Sequence, residues 1–131
     1  MKKNILIVED DPFTQKFYSY LLSKRDYEID VIEDGDKIFE LINQKKYSII
    51  IMDVNLKNTY LNNKRIDGIE LSRILKQNEN FSDIPILIIT AYNLSHGSEQ
   101  FAKSLADDFL VKPIEDYNLL INKVEKLVKS E

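Results

Sequence analysis

Five short runs of mostly apolar, largely β-branched residues recur along this chain, and they constrain its fold more than any other feature. The runs are Ile5 to Val8, Ile29 to Ile32, Ile49 to Met52, Ile86 to Ile89 and Phe109 to Val111. Most are continuous rather than alternating, which is typical of strands buried on both faces of a parallel sheet. The sequence therefore predicts a five-stranded parallel sheet.

Helical patterns separate the five runs. Asp11-Pro12 supplies an N-cap followed by a proline, and Asp34 and Asp67 can cap two further helices. Inward-facing residues with the 3.6-residue period are expected as follows: Phe13, Phe17 and Leu21; Ile38, Leu41 and Ile42; Leu71, Ile74 and Leu75; Phe101, Ala102 and Leu105 after Ser98; and Tyr117, Leu120, Ile121, Val124, Leu127 and Val128. The alternation predicts an α/β fold, a three-layer doubly wound (βα)5 single domain over residues 1–131, with strand order 2-1-3-4-5.

Composition excludes several classes of protein. The 131 residues suit one domain, the net charge is −4, and no dense basic stripe suggests a nucleic-acid partner. Without cysteine, neither a disulfide framework nor a zinc–thiolate site can form. No apolar run is long enough for a membrane span or a signal peptide, so a cytoplasmic protein without a membrane partner is expected.

Polar residues follow the predicted strands at the points where ligands bind in open α/β sheets. Glu9 and Asp10 follow the first strand, Asp53 the third, Thr90 the fourth and Lys112 the fifth. Strands 1 and 3 are neighbours in the predicted order. The three carboxylates are therefore expected to converge, with the hydroxyl and the ammonium group beside them.

Carboxylates gathered in one cleft repel each other unless a cation neutralises them. Mg²⁺ prefers oxygen ligands, takes one or two carboxylates, keeps several waters and bridges to phosphate oxygens. The charge of Lys112 and the hydroxyl of Thr90 would stabilise a phosphoryl group transferring onto an oxygen of Asp53. The pattern thus favours phosphoryl chemistry with Mg²⁺.

The segments "ILIVEDDP", "IIIMDVNL", "ILIITA" and "FLVKP", in this order and at strand ends, resemble the receiver domain of two-component response regulators. The resemblance covers essentially the whole chain and implies a flavodoxin-like fold. It implies Mg²⁺-dependent transfer of a phosphoryl group from a phosphohistidine to Asp53, followed by hydrolysis. The phosphodonor would be a sensor histidine kinase or a histidine phosphotransfer protein. Such a domain is a signalling switch rather than a turnover enzyme.

The resemblance also implies a role for each residue at the strand ends. Asp53 would be the phosphoacceptor, Thr90 the switch hydroxyl and Phe109 the aromatic residue whose rotamer reports activation, with Lys112 as the lysine that completes the site. The implied Mg²⁺ ligands are Asp10, Asp53 and the backbone carbonyl of Asn55, with Glu9 acting through a water. Asn55 and Tyr92 would tune the access of water to the acyl phosphate, and a bulky Tyr92 predicts slow hydrolysis.

Output is expected to pass through protein contact. Phosphorylation would draw Thr90 toward the phosphate and let Phe109 turn inward, which reshapes the face formed by the fourth helix, fifth strand and fifth helix. A downstream protein would bind this face, and the chain would be a monomer or a weak dimer. His96, the single histidine, is interpreted as an exposed loop residue.

The sequence departs from the family pattern after Asp53. Lys57 stands where the family usually has proline, Leu105 replaces a frequent glycine, and residues 58–65 look like an insertion. A solvated surface loop is one interpretation of the insertion. The alternative is that Tyr60, Lys64 and Arg65 cover or recharge the rim of the site and alter partner choice or phosphate lifetime.

Three other functions compete with this interpretation. A haloacid-dehalogenase-type phosphatase needs an acid two residues after the nucleophile, where this chain has Asn55. A flavodoxin-like cofactor binder would need a phosphate loop, and Glu9, Asp10 and Asp11 would repel that phosphate. A receiver-like interaction module that works without phosphorylation would have lost Asp53, Asp10 or Lys112. All three are present, so this module stays only as the alternative.

Overall fold

The computed structural model of the chain describes residues 2–129. Its strands are β1 (Lys3–Val8), β2 (Tyr27–Ile32), β3 (Ile49–Asp53), β4 (Tyr60–Leu61), β5 (Lys64–Arg65), β6 (Ile86–Thr90) and β7 (Asp108–Val111). Its helices are α1 (Pro12–Ser23), α2 (Gly35–Gln44), α3 (Gly68–Gln77), α4 (Glu99–Ser104) and α5 (Tyr117–Lys129). The parallel sheet has the order β2-β1-β3-β6-β7, which confirms the predicted order of the five main strands. The single-domain prediction includes residues 1, 130 and 131, which lie outside the described residues.

Two hydrophobic clusters cover the two faces of the sheet, as a doubly wound fold requires. On one face Ile7 and Ile51 pack with α1 and α5, and on the other Val8 and Met52 pack with α2 and α3. Successive residues of a strand point to opposite faces, so a strand buried on both faces has no polar positions. This is why residues 5–8 of β1, 49–52 of β3 and 86–89 of β6 are apolar without interruption.

The expectation of a strand buried on both faces is wrong for β2. Only half-buried and exposed residues occur along it, and Val31 is 38% exposed. β2 lies at the edge of the sheet and has a single strand neighbour, β1. Its run of apolar residues is interrupted by Asp30, which accepts hydrogen bonds from Lys45 Nζ (2.9 Å) and Tyr47 Oη (2.6 Å).

Helix starts agree with the predicted caps, but two predicted inward residues are exposed. Asp11, Asp34 and Asp67 each accept a backbone N–H from the first turn of their helix. Phe13 is 79% exposed, because it lies in the first turn of α1 and the buried residues of that helix begin only at Tyr18. Ile74 is 37% exposed because the inward stripe of α3 runs through Ser72 instead.

The fourth and fifth helices differ from the prediction at their first or last residues. α4 ends at Ser104, and Leu105 takes a left-handed conformation (φ 57°) as its C-cap, where glycine is the usual residue. Ala102 and Leu105 are both exposed rather than inward. Tyr117 opens α5 and is 49% exposed.

Among residues 2–129, no helix combines the length and apolar character that crossing a membrane requires.

The inserted segment is a β-hairpin, and most of its residues are exposed, as the interpretation of residues 58–65 as a solvated surface loop expects. β4 and β5 pair antiparallel, with Tyr60 opposite Arg65. The two turn residues, Asn62 and Asn63, both have positive φ (52° and 66°), as a type I′ turn requires. Asparagine tolerates this conformation better than most residues, so the pair Asn62-Asn63 was the local signal for a tight hairpin.

Candidate functional site

The carboxyl ends of the strands form one cleft of about 580 Å³. Its walls include Glu9 and Asp10 after β1, Asp53 at the end of β3, Asn55 just beyond it, and Lys112 after β7. The adjacency of β1, β3 and β6 brings these residues together although more than 100 positions separate Glu9 from Lys112. The structure therefore brings these five predicted residues to one cleft, while their chemical roles stay predictions.

Asp53 and Lys112 form an ion pair in this cleft. Nζ of Lys112 lies 2.8 Å from Oδ1 of Asp53, and the Asp53 side chain is only 3% exposed. The Lys112–Pro113 peptide bond is cis. A buried carboxylate needs a partner that compensates the loss of hydration. The lysine supplies that compensation at Oδ1 of Asp53.

Glu9 is a second buried carboxyl group in the cleft. Its Oε2 accepts the N–H groups of Asp10 (3.0 Å) and Asp11 (3.3 Å). Its Oε1 is buried and has no hydrogen-bond partner among the described residues. Burial, and then the neighbouring Asp53 carboxylate, raise the pKa of Glu9 to about 8. Either a proton or a cation is needed to make this arrangement of two carboxyl groups favourable.

The residue types in the cleft fit Mg²⁺. Glu9 has a buried oxygen without a hydrogen-bond partner among residues 2–129, and Asp53 and Asp10 line the same cleft. Within residues 2–129, no group of three or more His, Cys, Asp or Glu side chains is placed to hold a metal ion, so the expected convergence of three carboxylates is wrong. Mg²⁺ does not require such a group, because it takes one or two carboxylates and completes its octahedron with water.

Asp10 is oriented by Lys57 and by the first two residues of the inserted segment, which the sequence did not suggest. Its Oδ2 accepts the N–H groups of Lys57 (2.7 Å) and Asn58 (2.7 Å) and the hydroxyl of Thr59 (3.1 Å). Thr59 is fully buried. No sequence signal predicted this contact, because the burial of one threonine in a polar segment cannot be read from the sequence.

Thr90 and Asn55 both bind backbone groups of the segment that follows β6. The Thr90 hydroxyl accepts the N–H of Tyr92 at 2.9 Å, and the Thr90 side chain is fully buried. Asn55 Oδ1 accepts the N–H of Ala91 at 2.8 Å, and Ala91 itself lines the cleft. Thr90 does not line the cleft, so its expected place beside the Asp53 carboxylate stays a prediction.

Tyr92 does not line the cleft that contains Asp53. It is 61% exposed and borders a neighbouring cavity together with Asn55 and Arg65. The expected position at the rim of the Asp53 cleft, and any effect of Tyr92 on hydrolysis, stay predictions.

Phe109 belongs to a small aromatic cluster at the edge of the sheet. Its ring centroid lies 5.2 Å from that of Phe101 and 4.7 Å from that of His96. His96 is exposed, as expected, and its Nε2 also lies 3.4 Å from Asp108 Oδ1. The contact of His96 with the predicted switch residue was missed, because nothing in a polar loop sequence predicts where the loop folds back.

We expect Glu9→Gln to abolish a pH-dependent loss of stability. The folded-state pKa of Glu9 is about 8, above the usual 4.5, so the contribution of this group is complete below about pH 4.5 and is lost as pH rises through about 8. The metal-free wild type should lose about 2–4 kcal/mol of unfolding free energy over this range relative to the variant. Urea unfolding at pH 5 and pH 8.5 measures the difference. Identical pH profiles for the two proteins would contradict the prediction.

The comparisons with known proteins agree on one family. A family model described as the response regulator receiver domain matches residues 5–125. The response regulator ArlR of Staphylococcus saprophyticus is 33% identical over 116 residues, which are 88% of this chain and 48% of ArlR. The CAI-1 autoinducer sensor kinase/phosphatase CqsS of Vibrio cholerae is 27% identical over 124 residues, 94% of this chain and 17% of CqsS. The chain thus spans about half, or less, of the length of these relatives.

A solved structure also resembles the chain. The receiver domain of the sensor histidine kinase PA1611 from Pseudomonas aeruginosa, with a magnesium ion coordinated in its active site cleft, is 25% identical. The TM-score is 0.80, and the match covers 98% of this chain and 99% of that one. The magnesium ion of that structure belongs to a cleft in the same fold.

Proposed function

Because the chain belongs to the family of response regulator receiver domains, we propose that it accepts a phosphoryl group on Asp53 in the presence of Mg²⁺. One observation carries the proposal. A nearly buried aspartate at the end of a central strand is paired with Lys112 at 2.8 Å and lies beside a second carboxyl group that has an unpaired oxygen. Two carboxyl groups therefore share the single positive charge of Lys112, and a bound cation would offset the second negative charge.

Each residue has a definite part in the proposed transfer. An oxygen of Asp53 attacks the phosphorus of a partner's phosphohistidine, the O–P bond forms, the N–P bond breaks, and the leaving imidazole takes a proton. Lys112 offsets negative charge on the phosphoryl oxygens. Mg²⁺, held by Asp10, Asp53 and the Asn55 carbonyl with Glu9 through water, would neutralise the same charge. Hydrolysis of the acyl phosphate then regenerates Asp53, so the domain is a switch rather than a turnover enzyme.

A downstream protein would bind the face formed by α4, β7 and α5, and phosphorylation would change that face. The proposed sequence of events begins when the Thr90 hydroxyl, which accepts the Tyr92 N–H, moves to donate its own hydrogen to a phosphoryl oxygen. The segment after β6 then moves, and Phe109 turns into the space that this movement opens. Its present neighbours, Phe101 and His96, would repack and change the surface offered to a downstream protein. The phosphodonor in this proposal is a histidine kinase or a histidine phosphotransfer protein.

We expect incubation with acetyl phosphate and Mg²⁺ to add one phosphoryl group to the wild-type chain, measured by intact mass. Asp53→Asn should gain none, because an amide is not a nucleophile toward phosphorus. Asp67→Asn is the matched control, since Asp67 is an exposed helix cap outside the cleft, and it should be phosphorylated like the wild type. Equal adducts in wild type and Asp53→Asn would place the acceptor elsewhere. No adduct with any donor, together with no Mg²⁺ binding, would favour the phosphorylation-independent module.

A further inference from the structure

One oxygen of the Asp10 carboxylate is bound by Lys57 and by the first two residues of the inserted segment. Three donors, the N–H groups of Lys57 and Asn58 and the hydroxyl of Thr59, all bind the same oxygen, Oδ2. A carboxylate oxygen has about two lone-pair sites, so these donors fill Oδ2. Asp10 lines the cleft, and Oδ1 is therefore the oxygen that remains for a cation.

The donors are held in place by the hairpin that follows them. The Thr59 carbonyl accepts the N–H of Ile66 at 3.0 Å, which closes the base of the hairpin beside β4 and β5. The Leu61 side chain packs against the hydrophobic cluster on the face of the sheet that α2 and α3 cover. The positions of the three donors therefore depend on a folded element rather than on a mobile loop.

The hairpin in turn rests on the start of α2. The Asn62 N–H donates to Asp36 Oδ1 at 3.2 Å. A β-carbon on Gly35 would lie 2.5 Å from the Tyr60 carbonyl oxygen, so the backbone of the hairpin approaches the helix as closely as glycine allows. This contact fixes the distance between α2 and the segment that binds Asp10.

We propose that the insertion is a structural part of the cation site, with Thr59 as a positioning residue that holds Asp10 ready to bind Mg²⁺ through Oδ1. The inference rests on the proposed Mg²⁺-dependent function and extends it to a segment outside the family pattern. Hydrogen bonds to the non-ligating oxygen orient a carboxylate and reduce the entropy that it loses on binding a metal. The affinity for Mg²⁺ therefore depends on the hairpin.

The test compares variants at Thr59 by their Mg²⁺ affinity, without any phosphoryl donor. Thr59→Val keeps the shape of the side chain and removes the hydroxyl, and it should weaken Mg²⁺ binding about threefold to tenfold. Thr59→Ser keeps the hydroxyl and should bind within about twofold of wild type. Thr14→Val is the matched control, because the Thr14 hydroxyl binds Asp11, which is outside the predicted ligand set. Isothermal titration calorimetry with Mg²⁺, and electron paramagnetic resonance of free Mn²⁺, give the affinities.

A second pair of variants tests the support of the hairpin rather than the hydrogen bond. Gly35→Ala pushes against the Tyr60 carbonyl and should weaken Mg²⁺ binding by about threefold or more. Gly97→Ala meets no atom within 4 Å and should leave the affinity unchanged. Replacing residues 58–65 with a tight turn removes the Thr59 hydroxyl and the hairpin that holds the other donors. This change should weaken Mg²⁺ binding about tenfold or more. All affinities are measured at a temperature where circular dichroism shows each variant folded.

The outcomes separate this inference from the function on which it rests. If wild type binds Mg²⁺ but Thr59→Val binds equally well, the positioning role is overturned and the proposed function stands. If Thr59→Val binds Mg²⁺ more tightly, the insertion competes with the metal for Asp10, which also overturns the inference. If wild type binds neither Mg²⁺ nor Mn²⁺, both the inference and the proposed function fail.

Discussion

Replacing Gly68 with alanine is expected to lower the unfolding free energy by about 3 kcal/mol and to abolish phosphoryl acceptance by Asp53. A β-carbon at this position would collide with the carbonyl oxygen of Asp53 and lie 2.7 Å from Cα of Val54. Both atoms belong to the backbone that carries the proposed acceptor, so no side-chain rotation can relieve the contact. Urea unfolding and intact mass after treatment with acetyl phosphate measure the two effects.

The control for Gly68→Ala is Gly97→Ala, which introduces the same methyl group into open space. Alanine is the better helix former, so in an unobstructed helix the Gly68 substitution would stabilise by about 0.5–1 kcal/mol. The sign of the measured change therefore decides between helix propensity and the backbone collision. A stabilised, fully phosphorylated Gly68→Ala would show that α3 can move away from β3 at little cost.

We expect Lys112→Met to destabilise the metal-free protein by about 2–4 kcal/mol at pH 8, because the buried carboxylate of Asp53 then loses its cation. The effect should be smaller at pH 5. The Lys112 charge lowers the pKa of Glu9, so its removal raises that pKa further, and a proton on Glu9 takes over part of the compensation at low pH. Chemical denaturation at both pH values tests the prediction.

The double variant shows whether the cost of Lys112→Met arises at Asp53. With Asp53→Asn in place there is no carboxylate for the lysine to compensate, and Lys112→Met should then cost less than about 1 kcal/mol. A double-mutant cycle at pH 8 gives the coupling free energy. Additive effects of the two substitutions would mean that the 2.8 Å pair contributes little and that Lys112 stabilises the protein by packing alone.

Much of the architecture could be predicted from local patterns. Continuous apolar runs identified the inner strands, and Asp11, Asp34 and Asp67 marked three helix starts. Parallel strands share one carboxyl edge, so the position of an acid just after a strand also predicts the cleft into which it points. Glu9 and Asp53 were placed together for this reason.

The errors fall where contacts between distant elements override the local pattern. Phe13 has the helical spacing of a core residue, but it lies beyond the part of α1 that packs on the sheet. Ser72 is buried in place of Ile74 because its hydroxyl donates to the Ser104 carbonyl at 2.9 Å across the α3–α4 contact. A periodic pattern gives the spacing of an inward face, whereas its rotation about the helix axis is set by the neighbouring helix.

Short apolar runs and the polar residue after each of them were enough to predict the strands and to place Glu9, Asp10, Asp53 and Lys112 at one cleft, and the resemblance of these segments to receiver domains predicted the family. The partners of the carboxylates became visible only in the folded chain: Lys112 for Asp53, two backbone N–H groups for one oxygen of Glu9, and Lys57, Asn58 and Thr59 for Asp10. The physical reason is that hydrogen bonds and ion pairs are directional and short in range. They depend on distances of a few tenths of an ångström between segments far apart in the chain, which no local pattern contains.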